Sequence, residues 1–191
     1  MIVAHPNDET LWAGGTLLLH PDACWTVVTL CGKGDAQRTA TFEKALERYN
    51  AKGVMGDLDD EPEQKPLRMV EVEDALMDLM PSDRYDLILT HGLWGENTGS
   101  RRQEETSKAV MALRESQRLS TGEVWMFAYE DGGNKYPPRP VSDADVFIYL
   151  PKETWEQKYQ IITDIYGLAP DSLEAKTTPK EEAFWVLGKG K

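Results

Sequence analysis

His5-Pro6-Asn7-Asp8-Glu9 places an imidazole, an amide and two carboxylates directly behind the apolar run Met1-Ile2-Val3-Ala4. A histidine and an aspartate three positions apart across a turn, His5 and Asp8, can offer a nitrogen and an oxygen to one divalent ion such as Zn²⁺. The structural alternative is that Asp8 and Glu9 cap a helix beginning near Thr10, since carboxylates favour the positive end of a helix dipole. Spacing alone leaves both open.

A second polar segment, His91-Gly92-Leu93-Trp94-Gly95-Glu96-Asn97-Thr98-Gly99, follows the apolar run Tyr85-Asp86-Leu87-Ile88-Leu89-Thr90. His91 leaves a buried strand and has two readings, a structural hydrogen bond or a contact to substrate. Trp94 offers a flat apolar face on which a sugar can stack. Arg101 and Arg102 are suited to gripping a carboxylate or phosphate, or belong to a solvated loop. His20, in His20-Pro21-Asp22, is expected in a surface turn at the opposite end of the sheet. Gly32-Lys33-Gly34 lacks the third glycine of a dinucleotide fingerprint, and Gly14-Gly15 falls inside a helix, which excludes a nicotinamide site. No G-x-S-x-G elbow and no Cys/His pairing occurs.

The run AHPNDE, then Trp12-Ala13-Gly14-Gly15-Thr16-Leu17, Val27-Val28-Thr29-Leu30-Cys31-Gly32-Lys33-Gly34-Asp35, and Ile88-Leu89-Thr90-His91-Gly92 with Gly95-Glu96, resembles the PIG-L or LmbE-like de-N-acetylases. The landmarks run collinearly from residue 2 to about residue 113, with a weaker echo at Trp155-Gln157-Lys158. The resemblance implies a Rossmann-like three-layer sandwich, bound Zn²⁺, and hydrolysis of an N-acetyl group on a small amino-sugar conjugate. It makes His5 and Asp8 metal ligands. Asn7 stands where the family has the aspartate that acts as general base, and a neutral amide cannot take a proton from water. Glu9 and Glu96 are then the remaining candidates for the base. The family's H-P-D-H, with its third ligand, has no counterpart, because the stretch from Gly95 to Glu105 contains no histidine. Counting from Gly95-Glu96 puts Arg102 at the ligand position, and counting back from the following helix puts Gln103 there. Glu104 or Glu105 could supply an oxygen if that helix begins a turn later. The second implication is a relative that keeps fold and pocket, has lost hydrolysis, and binds a ligand or partner without zinc.

These groups must be positioned by strands alternating with helices, which predicts an α/β domain with a mostly parallel sheet covered on both faces. Strands are expected at residues 1–4, 25–30, 85–90, 123–129, 145–150 and 182–187. Helices are expected at 10–19, 37–52, 70–79, 103–118 and 155–167, with an acidic connector from Val54 to Pro66 that reads as solvated surface. One domain over residues 1–191 fits the length. A formal charge of −12 disfavours nucleic acid and acidic membrane surfaces, which demand clustered Lys and Arg. No apolar stretch approaches a membrane span, and no leader pattern opens the chain. Cys24 and Cys31 fall in or beside an apolar strand and are expected to be buried, reduced thiols of a cytoplasmic protein. The partner expected is a small amino-sugar-like molecule, with the oligomeric state open.

Overall fold

The computed structural model describes residues 1–188. Strands β1 (Ile2–Val3), β2 (Thr26–Thr29), β3 (Lys52–Met55), β4 (Arg84–Thr90), β5 (Ser120–Phe127), β8 (Val146–Tyr149) and β9 (Glu181–Leu187) form one sheet in the order β3-β2-β1-β4-β5-β9-β8. β1 to β5 are parallel, and β9 runs antiparallel to both β5 and β8. A short ribbon, β6 (Tyr129–Glu130) with β7 (Arg139–Pro140), stands apart. The Rossmann-like layering expected from the alternation is therefore present. The order reverses at β1 and β4, so the crevice beyond the carboxyl ends of those two strands is where such sheets hold ligands.

Helix α1 (Asp8–Leu19) packs beside α2 (Ala36–Tyr49) and α5 (Lys152–Gln160), whereas α3 (Met69–Leu79) packs on α4 (Arg101–Glu115). The period of two along β1 sorts its side chains between these layers. Val3 joins Trp12, Leu17, Phe42 and Ile161, and Ile2 joins Val28, Leu76, Val110 and Val124. Both faces are covered, so the inner parts of the central parallel strands, such as Val27-Val28 and Ile88-Leu89, are buried. A π-helical turn, Ile161–Ile165, continues α5, and a short α6 (Leu173–Thr177) follows. No helix among the described residues is long and apolar enough to cross a membrane.

Helix α2 stops at Tyr49, not Lys52, because Asn50 turns left-handed at φ 51° and ends it. The next residues make β3, a strand absent from the sequence reading because Lys52-Gly53 has little strand character. Cys31 is buried as expected, but Cys24 is exposed, since it lies in the turn before β2 rather than in the strand.

Helix α1 breaks at Ala13, whose φ of −145° and ψ of 18° are not helical. The amides of Gly15 and Thr16 are thereby freed, and the Glu182 carboxylate accepts both at 2.7 Å. A β-carbon at residue 15 would lie 2.4 Å from the Leu150 Cδ2 methyl, so a larger residue there requires that side chain to move.

Candidate functional site

Asn7 carries a φ of 89°, a left-handed conformation that asparagine tolerates better than most residues. This turn lets the start of α1 fold back on the end of β1, so that Asp8 Oδ2 accepts from the His5 amide (2.9 Å) and sits 3.2 Å from His5 Nδ1. Asp8 Oδ1 accepts from Trp12 Nε1 and from Gln103 Nε2, each at 3.2 Å. His5 Nε2 faces Asp60 Oδ1 at 2.7 Å, and Arg38 holds the other Asp60 oxygen at 3.0 Å. Burial alone would lower the His5 pKa, but the hydrogen bonds and charges of Asp60 and Asp8 raise it to about 9. Burial would likewise raise Asp8, yet the charge and hydrogen bonds of the neighbouring His5 hold it below the usual carboxylate range. His5 is thus an imidazolium bridging two carboxylates at neutral pH.

Behind this layer, His91 is fully buried, with Nδ1 2.5 Å from Glu96 Oε2 and Nε2 accepting from the Ala4 amide at 2.9 Å. Burial opposes a charge on His91 and the carboxylates of Glu96 and Asp8 favour one, so the hydrogen-bond geometry must decide between them. A doubly protonated ring would turn one N–H against the Ala4 N–H. The bond from Ala4 decides for a neutral ring, protonated at Nδ1 and donating to Glu96. Glu96 also accepts from the Gly92 amide at 2.7 Å. Glu9 is enclosed as well: Thr10 and Tyr166 hydroxyls donate to Oε1 at 2.6 Å, and the Asn7 amide donates to Oε2. Burial pushes its pKa up to about 7.

A cleft of about 530 Å³ opens over these strand ends, lined by His5, Asn7, Asp8, Arg38, Asn97 and Gln103 among others. A larger groove, about 890 Å³, runs along α2 and β3, but its lining brings no histidine together with a carboxylate and lies away from the crevice. Of the residues singled out in the sequence, His5, Asn7 and Asp8 converge on the smaller cleft. Glu9, Glu96 and His91 do not line it; they form the packed layer beneath. Trp94 is 78% exposed and lies under the Lys108 ammonium. Arg101 is exposed on the first turn of α4. Arg102 is only 2% exposed and turned away, its guanidinium engaged by Glu105, Asp59 and the Lys65 carbonyl. Glu105 is held by Arg102 and by the Leu67 amide, and Glu104 by Lys108. His20 sits at the other end of the sheet, in a pocket with Met1, Thr26 and Arg84.

Gln103, not Arg102, therefore meets the His5–Asp8 pair. Its amide orientation is set by the Glu96 N–H, which donates to Oε1 at 3.2 Å and leaves the NH₂ group pointing at Asp8. The ion that the resemblance implies does not fit this donor set, because the third position presents hydrogens rather than a lone pair. Asp60 and Arg38 were missed as site residues. Asp60 lies in the acidic connector, whose other carboxylates at 57, 59, 61 and 63 are exposed as expected. Recognising Lys52–Met55 as a parallel strand would have marked that connector as a strand-end loop.

Fold and crevice define an α/β protein with its polar site at the topological switch point. The structural comparisons specify the fold further: it is PIG-L/LmbE-like. A deacetylase from teicoplanin biosynthesis superposes with a TM-score of 0.67 at 14% identity, covering 100% of this chain and 97% of that one. A 4-carboxy-2-hydroxymuconate hydratase, GalB from Pseudomonas putida, gives 0.63 at 18% identity, covering 93% and 81%. The conserved protein TT1542 from Thermus thermophilus gives 0.61 at 16%, covering 96% and 92%. No family model and no curated protein matches the sequence.

Proposed function

We propose that this chain is a small-molecule-binding relative of the de-N-acetylases in which amide hydrolysis has been lost. The observation that carries this reading is the Gln103 amide donating to Asp8 Oδ1 at 3.2 Å, where a third metal donor would have to stand. Asn7, the one candidate catalytic position on the cleft, has no carboxylate to accept a proton, and both nearby glutamates are buried behind it. The third ligand position and the general base that the family's hydrolysis uses are thus both missing here. The same fold serves a hydratase as well as a deacetylase among the similar structures, so fold does not decide the reaction. The cleft volume lies within the range of small-ligand sites, and its lining, with Asn7, Gln37, Arg38, Thr41, Asn97 and Ser100, suits a hydroxyl- and amide-bearing molecule such as an amino-sugar conjugate.

The test is release of free amine from N-acetylglucosamine conjugates in the presence of Zn²⁺. The wild type and Asn7→Asp are both expected at background. Turnover by the wild type that Asp8→Ala abolishes would overturn the reading. Binding is checked by calorimetry with the same conjugates, where Arg38→Ala is expected to weaken a measurable affinity.

A further inference from the structure

Beside the cleft, behind His5, lies a second donor set, different from the one that the resemblance implies; His5 lines the cleft, whereas Cys31 is fully buried. β1, β2 and β3 are neighbours in the sheet and run parallel, so the segments that follow them leave from one edge. Those segments deliver His5, Cys31 and Asp60, whose ligand atoms all lie within 4.8 Å of one another. Imidazole nitrogen, thiolate sulfur and carboxylate oxygen are the three ligand types that Zn²⁺ accepts, whereas Mg²⁺ and Ca²⁺ do not take sulfur. Donors on one tetrahedral zinc, at about 2.0–2.3 Å, stand about 3.3–3.8 Å apart. His5 Nε2 and Asp60 Oδ1, now 2.7 Å apart, would separate slightly around an ion, and the remaining spacings, each within 4.8 Å, would close toward that range. Asp60 belongs to the irregular segment between β3 and α3, which can make such a shift without disturbing a strand.

The neighbours of these donors are arranged as the supports of a metal site. A ligating histidine characteristically gives its second ring nitrogen to a carboxylate, which fixes the ring. Asp8 does this for His5, at Nδ1, and leaves Nε2 facing Asp60. Arg38 holds Asp60 Oδ2 at 3.0 Å and leaves Oδ1 free to turn to an ion. Cys31 is fixed by its backbone, with its amide on the Ala4 carbonyl (3.0 Å) and the Thr29 hydroxyl on its own carbonyl.

The geometry points to a zinc-class cation site formed by His5, Cys31 and Asp60, with Asp8 as a positioning residue rather than a ligand. The ion would stand between His5 Nε2 and Asp60 Oδ1, with Cys31 bound as its thiolate. Three protein donors leave one tetrahedral position for water. The inference goes beyond the loss of hydrolysis and does not depend on it.

Anaerobic titration with Co²⁺, followed by optical absorption and elemental analysis, tests it. One equivalent is expected to bind with a thiolate-to-cobalt charge-transfer band in the near ultraviolet. Cys31→Ser is expected to remove the band, with Cys31→Ala as a control that buries no hydroxyl and with circular dichroism confirming that both variants fold. Asp8→Asn is expected to keep the band while weakening binding about tenfold, as the loss of an outer-shell partner does. Absence of bound Co²⁺ and Zn²⁺ at micromolar concentration overturns the site. So does binding without a thiolate band that Cys31→Ser leaves unchanged. Amine release from the conjugates, measured separately, bears on the functional reading alone: turnover together with the thiolate band would overturn that reading and uphold this site.

Discussion

Glu182 and Asp8 are both buried carboxylates that accept four donors at helix α1, and they differ in who those donors are. The Glu182 partners are the Gly15 and Thr16 amides, the Thr16 hydroxyl and the Lys158 ammonium, all at 2.6–2.7 Å. The whole cluster is closed, with Lys158 and Glu182 both 0% exposed. The Asp8 partners lie at 2.9–3.2 Å, and His5 and Gln103 among them also line the cleft. A carboxylate whose donors are all internal holds the fold together. One whose donors reach the cleft can exchange them for a ligand.

The largest expected effect is at the closed cluster. Glu182→Ala leaves a buried ammonium and two helix amides unpaired and should cost about 3–5 kcal/mol in urea unfolding. Lys158→Met combined with Glu182→Gln should recover a large part of that, because no buried charge then stands alone. Next comes Glu9, whose carboxyl is raised from 4.5 to about 7 by burial. A raised acid contributes stability that is complete below about pH 4.5 and lost as pH climbs through about 7, a fall of about 3 kcal/mol across the window. Glu9→Gln should flatten that slope, and an unchanged slope would place the titration elsewhere. At the open cluster, Gln103→Ala should cost about 1–2 kcal/mol, chiefly by leaving the buried Glu96 amide without its acceptor. Arg38→Ala should cost less than about 1 kcal/mol, because its ion pair with Asp60 is partly exposed. A larger loss at Arg38 than at Gln103 would mean that the cleft wall is structural and the comparison wrong.

The sheet and its switch point were legible because β-branched runs such as Trp25-Thr26-Val27-Val28-Thr29 alternate with amphipathic helices, and buried parallel strands have few other ways to look. β3 was not legible, since Lys52-Gly53 carries no strand propensity and pairs only because β2 presents an open edge beside it. The convergence of His5 and Asp8 follows from residues three apart, a local relation that spacing encodes. Which of Arg102 and Gln103 meets them is a matter of helix phase, and α4 begins at Arg101, two residues before the expected start. Asp60 joins His5 across 55 positions, a separation that no local pattern records. The inward turn of Arg102 was equally hidden, because its partners Asp59 and Lys65 become neighbours only when the β3–α3 segment crosses α4.

The break in α1 bears on the order in which the chain can assemble. The amides released at Gly15 and Thr16 find their acceptor 167 and 166 residues away. The first long helix is therefore not finished until the last strand arrives. Closing so long a loop is slow relative to forming a helix. During synthesis, the N-terminal half of the sheet should wait, collapsed but unlatched, until Glu182 has emerged. A chain truncated just before β9 would accordingly lose more than an edge of its sheet: it should fail to protect the Gly15 and Thr16 amides from hydrogen exchange, at the opposite end of the sequence from the cut.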